Sequence, residues 1–245
     1  MSAKIGIEVK DLRKRLGPNQ ALGGVSTDFA PGLIHGIIGP EGAGKTTLLR
    51  TLVGLLTPDS GDLVFSNDGQ AVPFAKIRPS IAYMPQQQSL YPDLSVREHL
   101  DFFRELYQIP KSVYEQRSRE LLHVTRLERF EDRAAGKLSG GMYKKLGLMC
   151  SLLQSPTLML LDEPTNGVDP ISRREFWELL YGLAEKKILI IVATAYMDEA
   201  ERCGRVHLLD GGVMLGHGEP HELLKDAGVR SFDELFIKRA RPEVV

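Results

Sequence analysis

The stretch that most constrains this chain is Gly39-Pro40-Glu41-Gly42-Ala43-Gly44-Lys45-Thr46-Thr47. It follows the apolar run Leu33 to Ile38 and opens into Leu48-Leu49-Arg50-Thr51-Leu52, so the local order reads strand, glycine-rich loop, helix. The loop matches G-x-x-x-x-G-K-[ST] in the setting that pattern requires. Glycines let successive backbone N–H groups turn inward on an anion, and the helix N-terminus adds partial positive charge. Lys45 is placed to reach the β- and γ-phosphates of a nucleotide, and the Thr46 hydroxyl to ligate Mg²⁺. A plain glycine turn is the competing reading; the specified positions and both flanks together disfavour it.

A chain of 245 residues can bury one large core, which points to an α/β domain with a subsidiary helical lobe. With 26% charged residues and a formal net charge of -1, no global attraction to nucleic acid or acidic lipid is built in, and no nucleic acid is expected. Cys150 and Cys203 lie in apolar or helical contexts with no second ligand nearby, as expected of reduced structural residues. No secretory leader is read at the start, and no apolar run approaches the roughly eighteen residues of a membrane span. Another polypeptide is therefore expected to cross any membrane involved.

Along the chain, Ile5 to Lys10 alternates like a strand with one solvated face, and Gly17-Pro18-Asn19 turns toward a second. A helix is expected over Thr46 to Leu55, and short strands over Gly61 to Ser66 and Ser80 to Met84. From Ser95 the period changes. Val96, Leu100, Phe103, Leu106 and Tyr107 fall on one helical face, and helices continue through Val113 to Leu127. Thr157 to Leu161 and Ile188 to Thr194 are near-continuous apolar runs, the pattern of parallel strands buried on both faces. A helix over Ile171 to Lys187 carries the only tryptophan, Trp177. A short helix is expected over Met197 to Cys203, then a hairpin of Arg205 to Asp210 and Val213 to Gly218 around Asp210-Gly211-Gly212.

Two further motifs bear on chemistry. Leu158-Met159-Leu160-Leu161-Asp162-Glu163 is an apolar strand ending in two carboxylates. Asp162 at its tip could enter a Mg²⁺ shell, while Glu163 could orient or deprotonate an attacking water. Leu138-Ser139-Gly140-Gly141-Met142 precedes a helix; Ser139 reads as its N-cap, and the glycines admit close backbone approach, as at an anion site. Capping alone does not separate that reading from a helix start without a ligand.

Together, Gly39 to Thr47, Leu138 to Met142 as a variant of the LSGGQ signature, and Leu158 to Glu163 resemble the nucleotide-binding subunit of an ABC transporter, over about residues 5 to 220. The resemblance implies a P-loop NTPase α/β core with an N-terminal antiparallel β subdomain, over 5–86 and 155–220. It also implies an inserted helical subdomain over 87–154 and a helical tail over 221–245. ATP and Mg²⁺ are the implied cofactors, with Lys45, Gln86 and Glu163 catalytic and Thr46, Gln86 and Asp162 around the metal. Gly39, Pro40, Glu41, Gly42, Ala43, Gly44, Lys45, Thr46, Thr47 and Leu16 would bind the nucleotide. Ser139, Gly140 and Gly141 would contact it across a head-to-tail dimer of two such domains. Gln86 in Tyr83-Met84-Pro85-Gln86 matches the Q-loop glutamine, Gln87 and Gln88 being register alternatives, and Asn166-Gly167-Val168-Asp169-Pro170 matches the D-loop.

In this family the helical lobe, here around Gln86 to Asp101, receives a polytopic membrane permease, which places such a subunit on the cytoplasmic face of the cell membrane. Tyr91 to Leu100, Met197 to Cys203 and Ser231 to Phe236 most resemble the ABC-2 export branch. The alternatives are a soluble ABC ATPase acting on ribosomes or DNA and a regulatory subunit that binds ATP without turnover.

Two positions depart from the family pattern. Ala195, in Ala193-Thr194-Ala195-Tyr196, occupies the place of the switch histidine, and a methyl group donates no hydrogen bond. Its neighbour Tyr196 would point the other way on an extended segment. Leu16 stands where many relatives stack an aromatic on adenine. A site that binds ATP and hydrolyses it slowly is the expectation, in an asymmetric pair whose partner is completed by Ser139 to Met142; the alternative is that another side chain fills the role and a homodimer is active.

Overall fold

A computed structural model describes residues 4–87 and 90–240, arranged as two sheets with helices packed around them. Gln88 lies outside the described residues, as does the end of the expected helical tail, 241–245.

The strands are β1 (Ile5–Leu16), β2 (Asn19–Phe29), β3 (Ile34–Ile38), β4 (Ser60–Asn67), β5 (Gln70–Val72), β6 (Ile81–Met84), β7 (Leu158–Asp162), β8 (Leu189–Thr194), β9 (Arg205–Asp210) and β10 (Val213–Gly218). The helices are α1 (Lys45–Leu52), α2 (Phe74–Ile77), α3 (Val96–Leu106), α4 (Lys111–Thr125), α5 (Gly140–Leu152), α6 (Pro170–Glu185), α7 (Pro220–Ala227) and α8 (Phe232–Ala240). One sheet has the order β2-β1-β4-β5 and is antiparallel throughout. The other runs β10-β9-β3-β8-β7-β6, parallel except for the β9–β10 hairpin.

The parallel strands are apolar on both faces because both faces are covered. Leu158, Leu160, Leu189, Ile191 and Ala193 pack with α1 and the antiparallel sheet. Their neighbours Met159, Leu161, Ile190 and Val192 pack on the other side with Phe176, Trp177 and Leu180 of α6 and with Phe232 and Leu235 of α8. Full burial of one such side chain stabilises the fold by roughly 1.5–3 kcal/mol.

A third apolar cluster joins Val96 and Leu100 of α3 to Leu122 of α4 and to Leu146, Met149 and Cys150 of α5. Because Leu148 and Leu152 face the central core, α5 is apolar on two sides and links the helical lobe to the sheet. Capping sets the register of the helices. Ser95 and Glu98 form a reciprocal capping box on α3, and Asp169 accepts from the Ile171 and Ser172 N–H groups ahead of Pro170 at the start of α6.

Some sequence expectations shift. The first strand runs on to Leu16 through irregular pairing, and α1 ends at Leu52, where the chain turns through Gly54. Leu106 is 58% exposed and does not share the buried face of α3. At about 100° per residue, Val96, Leu100, Phe103 and Tyr107 lie within roughly 60° of one another, whereas Leu106 falls some 80° away. The segment from Met197 to Arg202 is a 3₁₀ turn.

Candidate nucleotide site

The site lies at the carboxyl edge of the parallel sheet, where β3 is flanked by β8 and β9. Open α/β sheets bind ligands at such a switch point. Strand β3, buried along its whole length, delivers Gly39, whose N–H is held by the Thr194 carbonyl at 3.4 Å. A Cβ at Gly39 would stand 2.0 Å from the Leu209 carbonyl oxygen, so only glycine fits beside β9. Gly44 has φ +103°, and a Cβ there would meet the Ala21 carbonyl at 2.5 Å. Main-chain bonds from Gly212 to Ala43 (2.9 Å) and from Gly23 to Gly212 (2.7 Å) brace this loop against the β9–β10 turn and β2.

Lys45, at the first turn of α1, is 6% exposed. Its ammonium donates to the Gly39 and Pro40 carbonyls at 2.8 and 3.0 Å and sits 3.2 Å from Glu163 Oε1. The loop opens on a cleft of about 610 Å³ lined by Glu41 to Thr47, Leu16, Asn19, Gln20, Ala21, Gln86 and Glu163.

β7 delivers the carboxylates. Thr46 Oγ1 donates to Asp162 Oδ1 at 3.0 Å, and the Tyr83 hydroxyl donates to Oδ2 at 3.3 Å. Burial raises the Asp162 pKa above the usual carboxylate value, against the opposing hydrogen bonds from Thr46 and Tyr83. Glu163 has φ +47°, in the left-handed region that costs a non-glycine residue energy and that clusters at functional sites. Its pKa is also raised by burial, with Lys45 opposing. The Ala195 N–H donates to Glu163 Oε2 at 3.2 Å. Tyr196 turns away, its hydroxyl 3.3 Å from Asn166 Oδ1 and its ring under the Arg173 guanidinium.

Ser139 caps α5, accepting from the Met142 N–H at 3.3 Å. A Cβ at Gly141 would stand 2.5 Å from Ser172 Cβ, so the glycine allows α5 to approach α6. Ser139, Gly140 and Gly141 do not line the cleft, whereas Leu16 and Gln86 do. Gly39 and Pro40 reach it through their carbonyls on Lys45, and Asp162 through Thr46.

Sequence reasoning missed several neighbours. Asn19, Gln20 and Ala21 form a second wall, and Tyr83 holds Asp162. Lys144 donates to the Gln86 carbonyl at 3.2 Å, and burial lowers its pKa while Glu163 and Asp162 oppose that shift. Its place just after the signature was the available signal.

The donors fit a nucleotide carrying Mg²⁺. Thr46 and Asp162 present adjacent hard oxygens, and Gln86 lines the same cleft. Among the described residues no group of three or more His, Cys, Asp or Glu could hold a metal by itself.

A family model described as "ABC transporter" matches residues 22–166. The chain belongs to the ABC transporter family. Among ABC relatives, it is 45% identical over 207 residues to the "Probable multidrug ABC transporter ATP-binding protein YbhF" of Escherichia coli, covering 82% of this chain and 35% of that one. The chain thus spans about a third of the length of that relative. It is 37% identical over 221 residues to the "Nod factor export ATP-binding protein I" of Ralstonia nicotianae, covering 89% of this chain and 68% of that protein.

The ABC fold is matched by the solved "Structure of ATP binding subunit of ABC transporter" with a TM-score of 0.82 at 30% identity, over 96% of this chain and 99% of that one. It is also matched by cbiO1 from Clostridium perfringens, "Part of the ABC transporter complex cbiONQ", with a TM-score of 0.79 at 25% identity, over 97% and 96%. Among the described residues no helix is long and apolar enough to cross a membrane.

Proposed function

We propose that this chain is the ATP-binding and ATP-hydrolysing subunit of an ABC exporter of the ABC-2 branch, converting ATP-driven closure of two such domains into movement of a membrane-spanning partner. The observation that carries the reading is the meeting of Lys45, Thr46, Asp162 and Glu163 at one sheet edge, with Lys45 3.2 Å from Glu163 and Thr46 3.0 Å from Asp162. The export role draws support from relatives whose names carry multidrug transport and Nod factor export.

In this reading the N–H groups of Gly42 to Thr46 and the Lys45 ammonium hold the phosphates. Thr46, Asp162 and Gln86 would hold Mg²⁺, which when bound would neutralise phosphate charge. Glu163 accepts the proton of the attacking water, with its carboxylate aimed by the Ala195 N–H. An incoming phosphate also gives Lys45 an anionic partner in place of Glu163, freeing that carboxylate for water. Leu16 offers apolar contact to the base without ring stacking, which is worth on the order of 1–3 kcal/mol in full.

The lack of a side-chain donor at Ala195 slows hydrolysis at this chain's own loop. Ser139 to Met142, with α5 capped and the cleft elsewhere, serve the loop of a second ABC domain. The division follows 5–86 and 155–220 as the nucleotide core, 87–154 as the helical subdomain that meets the permease, and 221–245 as a tail. The subunit then sits on the cytoplasmic face of the membrane.

The test is co-purification from detergent-solubilised membranes, with ATP affinity measured on the recovered complex. Recovery of a polytopic partner and loss of ATP binding in Lys45→Ala are expected. Co-sedimentation with ribosomes or DNA and no membrane partner overturns export, and ATP binding undiminished in Lys45→Ala overturns the site.

A further inference from the structure

Behind the two loops that meet at Glu163 lies a carboxylate that the scheme above does not use. Glu199, in the 3₁₀ turn after β8, is 0% exposed. Its Oε1 accepts from Thr165 Oγ1 at 2.6 Å and from Trp177 Nε1 at 3.1 Å. Its Oε2 is buried with no hydrogen-bond partner among the described residues. Arg173 Nε, also buried without a hydrogen bond, stands 4.0 Å from Oε1.

Burying a carboxylate on two neutral hydrogen bonds, with its guanidinium neighbour no closer than 4.0 Å, is expensive, and apolar replacements of similar size are often as stable or more so. Its position suggests what it does instead. Thr165 lies two residues after Glu163 on the loop leaving β7, and the Asn166 N–H returns to the Glu163 carbonyl at 3.3 Å. Glu199 lies four residues after Ala195 on the segment leaving β8. Trp177 belongs to α6, which the D-loop feeds. One buried side chain therefore fastens three elements, two of which end on the Glu163–Ala195 hydrogen bond. Outside it, Arg173 repeats the link, 3.5 Å from Asp198 and stacked on Tyr196, whose hydroxyl reaches Asn166.

We propose that Glu199 is a positioning residue for hydrolysis: it clamps the loop after β7 to the segment after β8 and so aims the Ala195 N–H at Glu163. This rests on the reading of the cleft as an ATP-hydrolysing site. With a methyl at 195, the hydrogen bond that this residue gives the Glu163 carboxylate comes from its backbone N–H, whose aim depends on how the segment is held. Trp177, the chain's only tryptophan, shares the Glu199 oxygen with Thr165 and reports on the clamp from outside the cleft.

The experiment compares full-length wild type with Thr165→Val, which removes one hydroxyl at constant shape, Thr165→Ser, which restores it, and Glu199→Gln, which keeps an acceptor for Thr165 and Trp177. ATP affinity is measured by displacement of a fluorescent nucleotide, turnover by phosphate release, and the clamp by Trp177 emission with and without Mg²⁺–ATP. Misplacing a catalytic group commonly costs ten- to hundredfold, so Thr165→Val should lose roughly that in kcat with KM within about twofold. Nucleotide should change Trp177 emission in the wild type and not in Thr165→Val, while Thr165→Ser and Glu199→Gln stay within about threefold of wild-type kcat. A Thr165→Val chain with wild-type turnover and emission response, or one that loses ATP affinity as much as kcat, overturns the clamp. A wild-type chain that binds no ATP removes the underlying reading and the clamp with it.

Discussion

Restoring a hydrogen-bond donor at position 195 should raise turnover. The Ala195 N–H already holds Glu163 Oε2 at 3.2 Å, so the carboxylate is aimed without help from the side chain. What the position lacks is a donor toward the phosphate. One such donor is worth about 10²- to 10³-fold in kcat, or roughly 2.7–4 kcal/mol of transition-state stabilisation. Because the backbone bond is kept, the lower end applies, and Ala195→His should raise kcat about 10²-fold at saturating Mg²⁺–ATP. KM should change little, since the loop around Lys45 binds the ground state. Phosphate release by the full-length chain, alone and with its partner, reads the effect. Ala195→Phe adds bulk without a donor and should gain nothing. The gain should also acquire a pH limb near 6.5, the ordinary imidazole value. If Ala195→His binds ATP with wild-type kcat, the residue at 195 does not limit hydrolysis, and the slow-site reading fails.

Three other perturbations separate stability from chemistry. Burial raises the Asp162 pKa above 3.8, so the folded state holds more protons between the two values, and stability falls as pH rises through that window. Asp162→Asn should therefore melt higher than wild type at pH 7 without nucleotide, yet lose Mg²⁺-dependent ATP affinity; a lower melting temperature contradicts the burial argument.

The His35 Nε2–H faces the Ala30 carbonyl, so His35 Nδ1 accepts from His207 Nε2, and His207 Nδ1 accepts from Thr27. Burial lowers the His35 pKa to about 4, with Arg205 adding to the shift and Asp28 opposing it; His207 is lowered too, by burial and by the charges of His35, His217 and Arg205. Stability from this pair is present above about 6.5 and is lost as pH falls toward 4. A melting temperature that stays flat across that interval refutes the neutral chain of imidazoles. Ser139→Ala removes a cap worth about 1 kcal/mol and should leave this chain's own ATP affinity unchanged while weakening ATP-dependent dimerisation. Equal loss of both would place Ser139 in its own cleft.

What could be read from residue types and what could not divides along a physical line. The strand of Leu158 to Asp162 is legible because each face needs its own apolar partner, and Leu158 and Leu160 meet one core while Met159 and Leu161 meet the other. Gly39, Gly44 and Lys45 are legible because the close approach, the positive φ and the phosphate charge each permit few residue types. Asn19 to Ala21 escape notice because main-chain bonds through Gly23, Gly212 and Ala43 bring β2 to the loop, and main-chain bonds leave no mark on composition. Glu199 is the sharper case. In Met197-Asp198-Glu199-Ala200-Glu201-Arg202 it reads as one more charge on a solvated turn, and Asp198 and Glu201 are indeed exposed. Only the packing of Thr165 and Trp177, from two distant elements, turns that one carboxylate inward. Groups that touch phosphate must be of a particular type and so betray themselves locally. A group that aims them needs only a partner from elsewhere in the fold, which is why Thr165→Val, a loss of one hydroxyl outside the cleft, is the more demanding test of how this site works.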